Sequence, residues 1–167
     1  MKTASPTSFS AILNRCLLGF ILLATGLALP ARTEAQDQRR IALVVGNDDY
    51  QHASKLSNAV NDSRSVAKAL RHVGFDVIHV ENASIDQFDE ALSKFMANGR
   101  KADVGLFYFA GHGIEFDEQN FLLPVDASPE NHAQLKRQAM SLEDVLEGLK
   151  NVNLSAKMAV LDCCRDH

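Results

Sequence analysis

A histidine flanked by glycines, Gly111-His112-Gly113, and an adjacent cysteine pair, Cys163-Cys164, stand 52 residues apart, counted from His112 to Cys164. A thiol attacks a carbonyl only as the thiolate, and a free cysteine has a pKa of about 8.5. An imidazole within reach takes that proton and later returns one to a leaving amine. The chemistry these residue types would support is nucleophilic acyl transfer. The flanking glycines let a peptide backbone come close, and the Gly113 N–H can point at a developing oxyanion. The Cys164 N–H is the natural second donor, and losing one such donor costs about 3 kcal/mol of barrier. The competing reading is two buried apolar cysteines at a strand end. Side chains alternate along a strand, so only one of Cys163 and Cys164 can face His112.

Both groups close apolar runs. Val104–Ala110 leads into Gly111, and Met158–Leu161 leads into Asp162. Two more such runs, Ile41–Val45 and Phe75–Val80, have strand length, and Val104–Ala110 is apolar throughout, as in a strand buried on both faces. Helical patterns alternate with them. Asn58–Val73 carries Val60, Val66, Ala67, Leu70 and Val73 on one face and stops at Gly74. Ser84 and Gln87 form a capping box ahead of Phe88, Leu92, Phe95 and Met96, and Gly99 ends that helix. Ser141 and Asp144 cap a helix carrying Leu142, Val145, Leu146 and Leu149. Ile114–Phe116 and Phe121–Leu123 flank polar residues 117–120, as in a hairpin. This alternation predicts an α/β fold with a mostly parallel sheet. Functional groups in such sheets gather beyond the carboxyl ends of the strands. Residues 46–57, 111–113 and 162–167 all fall there. Paired strands lie about 4.8 Å apart, so pairing of the runs before His112 and Cys164 would close the gap of 52 residues.

The 167 residues suffice for one domain. Residues 1–35 read as a signal peptide: Lys2 and Arg15 are the positive flank, Cys16–Leu29 is an apolar stretch of 14 residues, and Thr33-Glu34-Ala35 suits cleavage before Gln36. A membrane span needs about 20 apolar residues, so no stable span is expected after cleavage. The expected product, residues 36–167, is secreted or periplasmic. It keeps 14 of the 17 basic and 20 of the 21 acidic side chains, a net charge near −6. No basic stripe points to nucleic acid. Its only cysteines are Cys163 and Cys164, and sequence neighbours rarely bond each other. Asp48 and Asp49 lack the interleaved acids of a calcium loop, and the other histidines lack ligand spacing, so no metal or cofactor is expected from these residues. No G-x-G-x-x-G or G-K-[ST] marks a phosphate loop.

Tyr108-Phe109-Ala110-Gly111-His112-Gly113, followed by Leu161-Asp162-Cys163-Cys164-Arg165-Asp166, resembles the catalytic core of caspase-like cysteine peptidases, close to the bacterial metacaspase (orthocaspase) branch. Ala42–Asn47 with Tyr50, Leu56–Asp62 and Asn120–Asp126 extend the likeness in the family's order across Arg40 to Asp166. The resemblance implies a three-layer, Rossmann-like domain in which this sequence supplies strands in order 2-1-3-4 and the family's C-terminal strands lie beyond it. The fourth strand would then be an exposed edge able to pair with another chain, and the chain alone would turn over substrate poorly. His112 becomes the general base and Cys164 the nucleophile; Cys163 falls where the family has a small residue and is a bystander. Asp62 and Asp162 match the two acids of the metacaspase primary pocket, which would favour Arg or Lys before the scissile bond. Animal caspases have Gln where this chain has Asp162. The family often requires calcium, but its acids lie beyond the nucleophile and are not visible here. The alternative is a catalytically weak or inactive module that binds peptides or partners with the same sheet.

Overall fold

The computed structural model describes residues 38–163 and the backbone of Arg165 and Asp166. The expected signal peptide and Cys164 lie outside the described residues.

Four strands form one parallel sheet: β1 (Arg40–Gly46), β2 (Phe75–Glu81), β3 (Val104–Ala110) and β7 (Ala156–Asp162). Their order is β2-β1-β3-β7, so β1 pairs on both sides. This is the expected 2-1-3-4 arrangement, since β7 is the fourth parallel strand of the sheet. Ala110 lies opposite Gly46 on one side and Asp162 on the other, which levels the carboxyl ends of these strands.

The apolar runs divide by alternation. Ile41, Leu43 and Val45 of β1 and Phe107 and Phe109 of β3 face one layer, built by helix α2 (Ile85–Gly99) and helix α4 (Leu142–Asn151). Phe88 of α2 stacks on Phe109 with ring centroids 5.9 Å apart. Ala42, Val44, Tyr108 and Ala110 face the opposite layer, helix α1 (Ala59–His72). Both faces are therefore covered, and a buried Phe or Leu on either contributes about 2 kcal/mol. The α1 layer is thin. A Cβ on Gly46 would stand 2.7 Å from the Ala59 carbonyl and would run into Ser63, so only glycine lets α1 lie this close to β1.

Local signals hold for most elements. The Ser84–Gln87 capping box is formed, and the Asp126 carboxylate also accepts from the Ile85 N–H at 3.0 Å. Ser141 accepts from the Asp144 N–H at the start of α4. The hairpin is β4 (Gly113–Phe116) with β5 (Gln119–Leu122), closed by Asp117 and Glu118 at φ 53° and 60°. Those are the left-handed dihedrals that a two-residue hairpin turn requires. Two departures stand out. Val73 is not on the inner face of α1; the helix ends at His72, Gly74 turns the chain at φ +86°, and Val73 is 53% exposed. A short helix α3 (His132–Gln138) appears where no element was expected, capped by Asn131 on the Gln134 N–H. Its seven residues are too few for a clear period.

A second small sheet runs in the order β6-β5-β4-β8, with β6 at Met140–Ser141 and β8 at Arg165–Asp166. Every residue of β7 is exposed, Met158 most among its large apolar side chains at 56%. Among the described residues β7 pairs only with β3, so its outer flank is an apolar edge.

Candidate active site

The levelled ends of β3 and β7, residues 56–58 and the first turn of α1 surround a cleft of about 660 Å³. Asp62, His112, Asp162 and Cys163 all line it. Residues distant in sequence thus meet at the carboxyl edge of the sheet.

His112 follows β3 by two residues and is held at several atoms. Its main-chain N–H donates to the Tyr50 hydroxyl at 2.8 Å, and its carbonyl accepts from the Leu123 N–H at 3.0 Å. Its Nε2 lies 2.8 Å from the Ser54 carbonyl oxygen and 3.4 Å from Ser54 Oγ. A carbonyl only accepts, so Nε2 carries the proton when it makes this bond. In the neutral ring Nδ1 is then the basic nitrogen.

Tyr50 is buried, its ring 4.6 Å from the imidazole at 54°. Its hydroxyl donates to the Leu123 carbonyl at 3.3 Å. Burial pushes the phenol up to about 12, against the lowering effect of the His112 N–H and Asn47. It stays protonated across the working pH range. Gly111 makes room for it, because a Cβ there would lie 2.5 Å from the Tyr50 hydroxyl and 2.8 Å from the Phe109 ring. The bare backbone at 111 is thus filled from within the fold by a phenol. Asn47, fully buried, ties the same region together: its Oδ1 accepts from the Ala83 N–H at 2.9 Å, and its Nδ2 donates to the Leu123 carbonyl at 3.0 Å.

Asp162 closes β7, and Asp62 sits in the first turn of α1. The Tyr108 hydroxyl donates to Asp162 Oδ2 at 3.3 Å. Burial, then the charge of Asp162, push the Tyr108 phenol up to about 12, and Asp62 adds to the rise. Both carboxylates therefore act on one hydroxyl.

Cys163 is half-buried against the core cluster that includes α2 and α4, and it also lines the cleft. Cys164 lies outside the described residues, but the chain on each side of it is placed. Cys163 borders the cleft with His112, and Arg165 stands in register with Gly113, the residue after His112. Tyr50 carried no assigned role in the sequence reading, although it stood in a matched segment. Ser54 had no sequence signal, because its carbonyl, common to every residue, makes the short bond.

The family model for the caspase domain matches residues 39–167. The chain belongs to the caspase-domain family. It is 26% identical over 126 residues to the mucosa-associated lymphoid tissue lymphoma translocation protein 1 of Homo sapiens and to its homolog in Mus musculus. Each match covers 75% of this chain and 15% of the relative, so this caspase domain spans a small part of those proteins. The crystal structure of protein GSU0716 from Geobacter sulfurreducens superposes with a TM-score of 0.58 at 17% identity, covering 75% of this chain and 50% of that one. At that identity the likeness concerns the fold.

Proposed function

We propose that this caspase domain is an endopeptidase of metacaspase type that cleaves after Arg or Lys through His112 and Cys164. The observation that carries the reading is one cleft lined by His112, Asp62, Asp162 and Cys163, the last adjoining Cys164 in the chain. In the proposed reaction the basic nitrogen of His112 takes the Cys164 thiol proton. The thiolate adds to the scissile carbonyl, while the N–H groups of Gly113 and Cys164 stabilise the oxyanion. The imidazolium then protonates the departing amine, and water hydrolyses the thioester. Cys163, packed toward the core, remains a bystander.

Two carboxylates lining one cleft, with no ion pair to either among the described residues, favour a guanidinium or an ammonium in the primary pocket. Arg can pair bidentately, Lys cannot. The leader residues fit export, so the proposed setting is periplasmic or extracellular. A second reading, a peptide- or partner-binding module of low activity, is favoured by the exposed apolar edge of β7.

Labelling of the protein with acyloxymethyl ketone peptides tests the proposal. The Arg probe should modify Cys164, an Asp probe should not, and Cys164→Ala should abolish the signal. Asp162→Asn should lower the Arg labelling rate by about 10- to 100-fold, the worth of one charge-assisted bond. Absence of labelling by either probe would favour the binding module. Labelling that survives Cys164→Ala would move the nucleophile elsewhere.

A further inference from the structure

We propose that Tyr50 is the positioning residue of the site, fixing the place and tautomer of His112 through the segment 47–57. The role rests on His112 acting as the general base. No charge or nucleophile marks Tyr50 in the sequence, so its part is visible only in three dimensions.

One loop grips the histidine at two points. The Tyr50 hydroxyl accepts from the His112 main-chain N–H at 2.8 Å, and the Ser54 carbonyl accepts from Nε2 at 2.8 Å. The phenol ring packs against the imidazole, with centroids 4.6 Å apart and planes tilted by 54°. The loop cannot drift, because it is pinned at three further places. Gln51 N–H donates to the Val125 carbonyl at 2.8 Å, Leu56 N–H to the Asp48 carbonyl at 2.9 Å, and Asn47 bonds both Ala83 and Leu123. Tyr50 itself belongs to the small core that includes Phe121, Leu123, Val125 and Leu135.

The hydroxyl works in both directions. Its single proton goes to the Leu123 carbonyl at 3.3 Å, which turns its lone pairs toward the His112 N–H. A phenolate could not make the first bond, and burial keeps the group protonated. Leu123 in turn donates its N–H to the His112 carbonyl at 3.0 Å. The main chain of His112 is thus clamped on both sides by a closed ring of bonds through Tyr50 and Leu123. Fixing the root in this way sets the point from which the imidazole reaches the Ser54 carbonyl. The Ser54 carbonyl then selects the Nε2–H tautomer and leaves Nδ1 as the base.

Tyr50→Phe keeps the ring and removes one oxygen, so His112 N–H loses its acceptor while the packing stays. The test has two arms. In the first, labelling by the Arg probe is followed against probe concentration and pH. The maximal rate should fall about 10- to 100-fold, with the half-saturating concentration within about twofold of wild type. In the second, the side-chain nitrogens of His112 are observed by NMR. Wild type should show the Nε2–H form, and Tyr50→Phe a mixture of tautomers. Unchanged nitrogens and an unchanged maximal rate in Tyr50→Phe overturn the proposal. If the peptidase reading alone fails, wild type does not label, but the nitrogen arm still responds to Tyr50→Phe. Should Tyr50→Phe not fold, Gly111→Ala displaces the same hydroxyl from the opposite side. It should mix the tautomers likewise, and a wild-type nitrogen pattern in Gly111→Ala counts against the role.

Discussion

Asn47→Ala should be the most damaging single change of a polar side chain in this domain. Asn47 is fully buried, and so is Ala83, whose N–H it receives at 2.9 Å. Truncation strands that donor, at a cost of about 1–3 kcal/mol. The Leu123 carbonyl loses the amide but keeps the Tyr50 hydroxyl at 3.3 Å, so this side adds roughly 0.5 kcal/mol. The emptied amide volume, about 40 Å³, adds roughly 1 kcal/mol. The sum is about 3 kcal/mol out of the 5–15 typical of a domain. For a domain of this size that lowers Tm by roughly 10 °C. Asn47→Asp should be at least as harmful: one carboxylate oxygen can still accept from Ala83, but the other faces the Leu123 carbonyl. Thermal and urea unfolding of both variants beside wild type measures this. A loss below about 1 kcal/mol in Asn47→Ala would refute the reasoning, because a stranded buried donor cannot be that cheap.

Tyr108→Phe should leave stability nearly unchanged and lower the preference for Arg over Lys probes by about 3- to 10-fold, since Asp162 loses the bond that orients it for a two-point contact. The ratio of the two labelling rates decides it; an unchanged ratio removes Tyr108 from the pocket. His79 should give the domain a mildly acid-sensitive stability. Its Nε2 donates to Ser63 Oγ at 3.0 Å, because the Ser63 proton already goes to the Val60 carbonyl. Burial holds its pKa below 6.5, Arg71 and Arg64 push the same way, and Glu81 opposes them. The unfolded chain therefore binds the proton first. The stability is complete above the unfolded value and declines as pH falls below it toward the folded one. His79→Gln keeps the donor and should flatten the drop in Tm between about pH 7 and pH 5.5; equal slopes would exclude His79 as its source.

The strands were legible because a sheet covered on both faces leaves long apolar runs, and β1 and β3 are such runs. The caps at Ser84 and Ser141 were legible because they depend on residues three apart. His112, Asp62 and Asp162 stood out by type, and the parallel pairing of β3 with β7 brings Asp162 beside Ala110. What escaped the sequence were the main-chain contacts around His112. The Ser54 carbonyl and the Leu123 carbonyl have no residue identity. Tyr50 reads as one more aromatic until the phenol is seen at Gly111. Val73 was misplaced because helical periodicity does not announce where it ends.

The near contact of α1 with β1 at Gly46 has a consequence for how such a site can vary. Asp62 rides on the first turn of α1, one residue before the Ser63 that Gly46 accommodates. A methyl group on residue 46 would lever the start of the helix outward and carry the carboxylate with it. Substrate preference could then be retuned from a hidden position that no peptide ever touches, and a search for specificity variants confined to the cleft wall would pass it by.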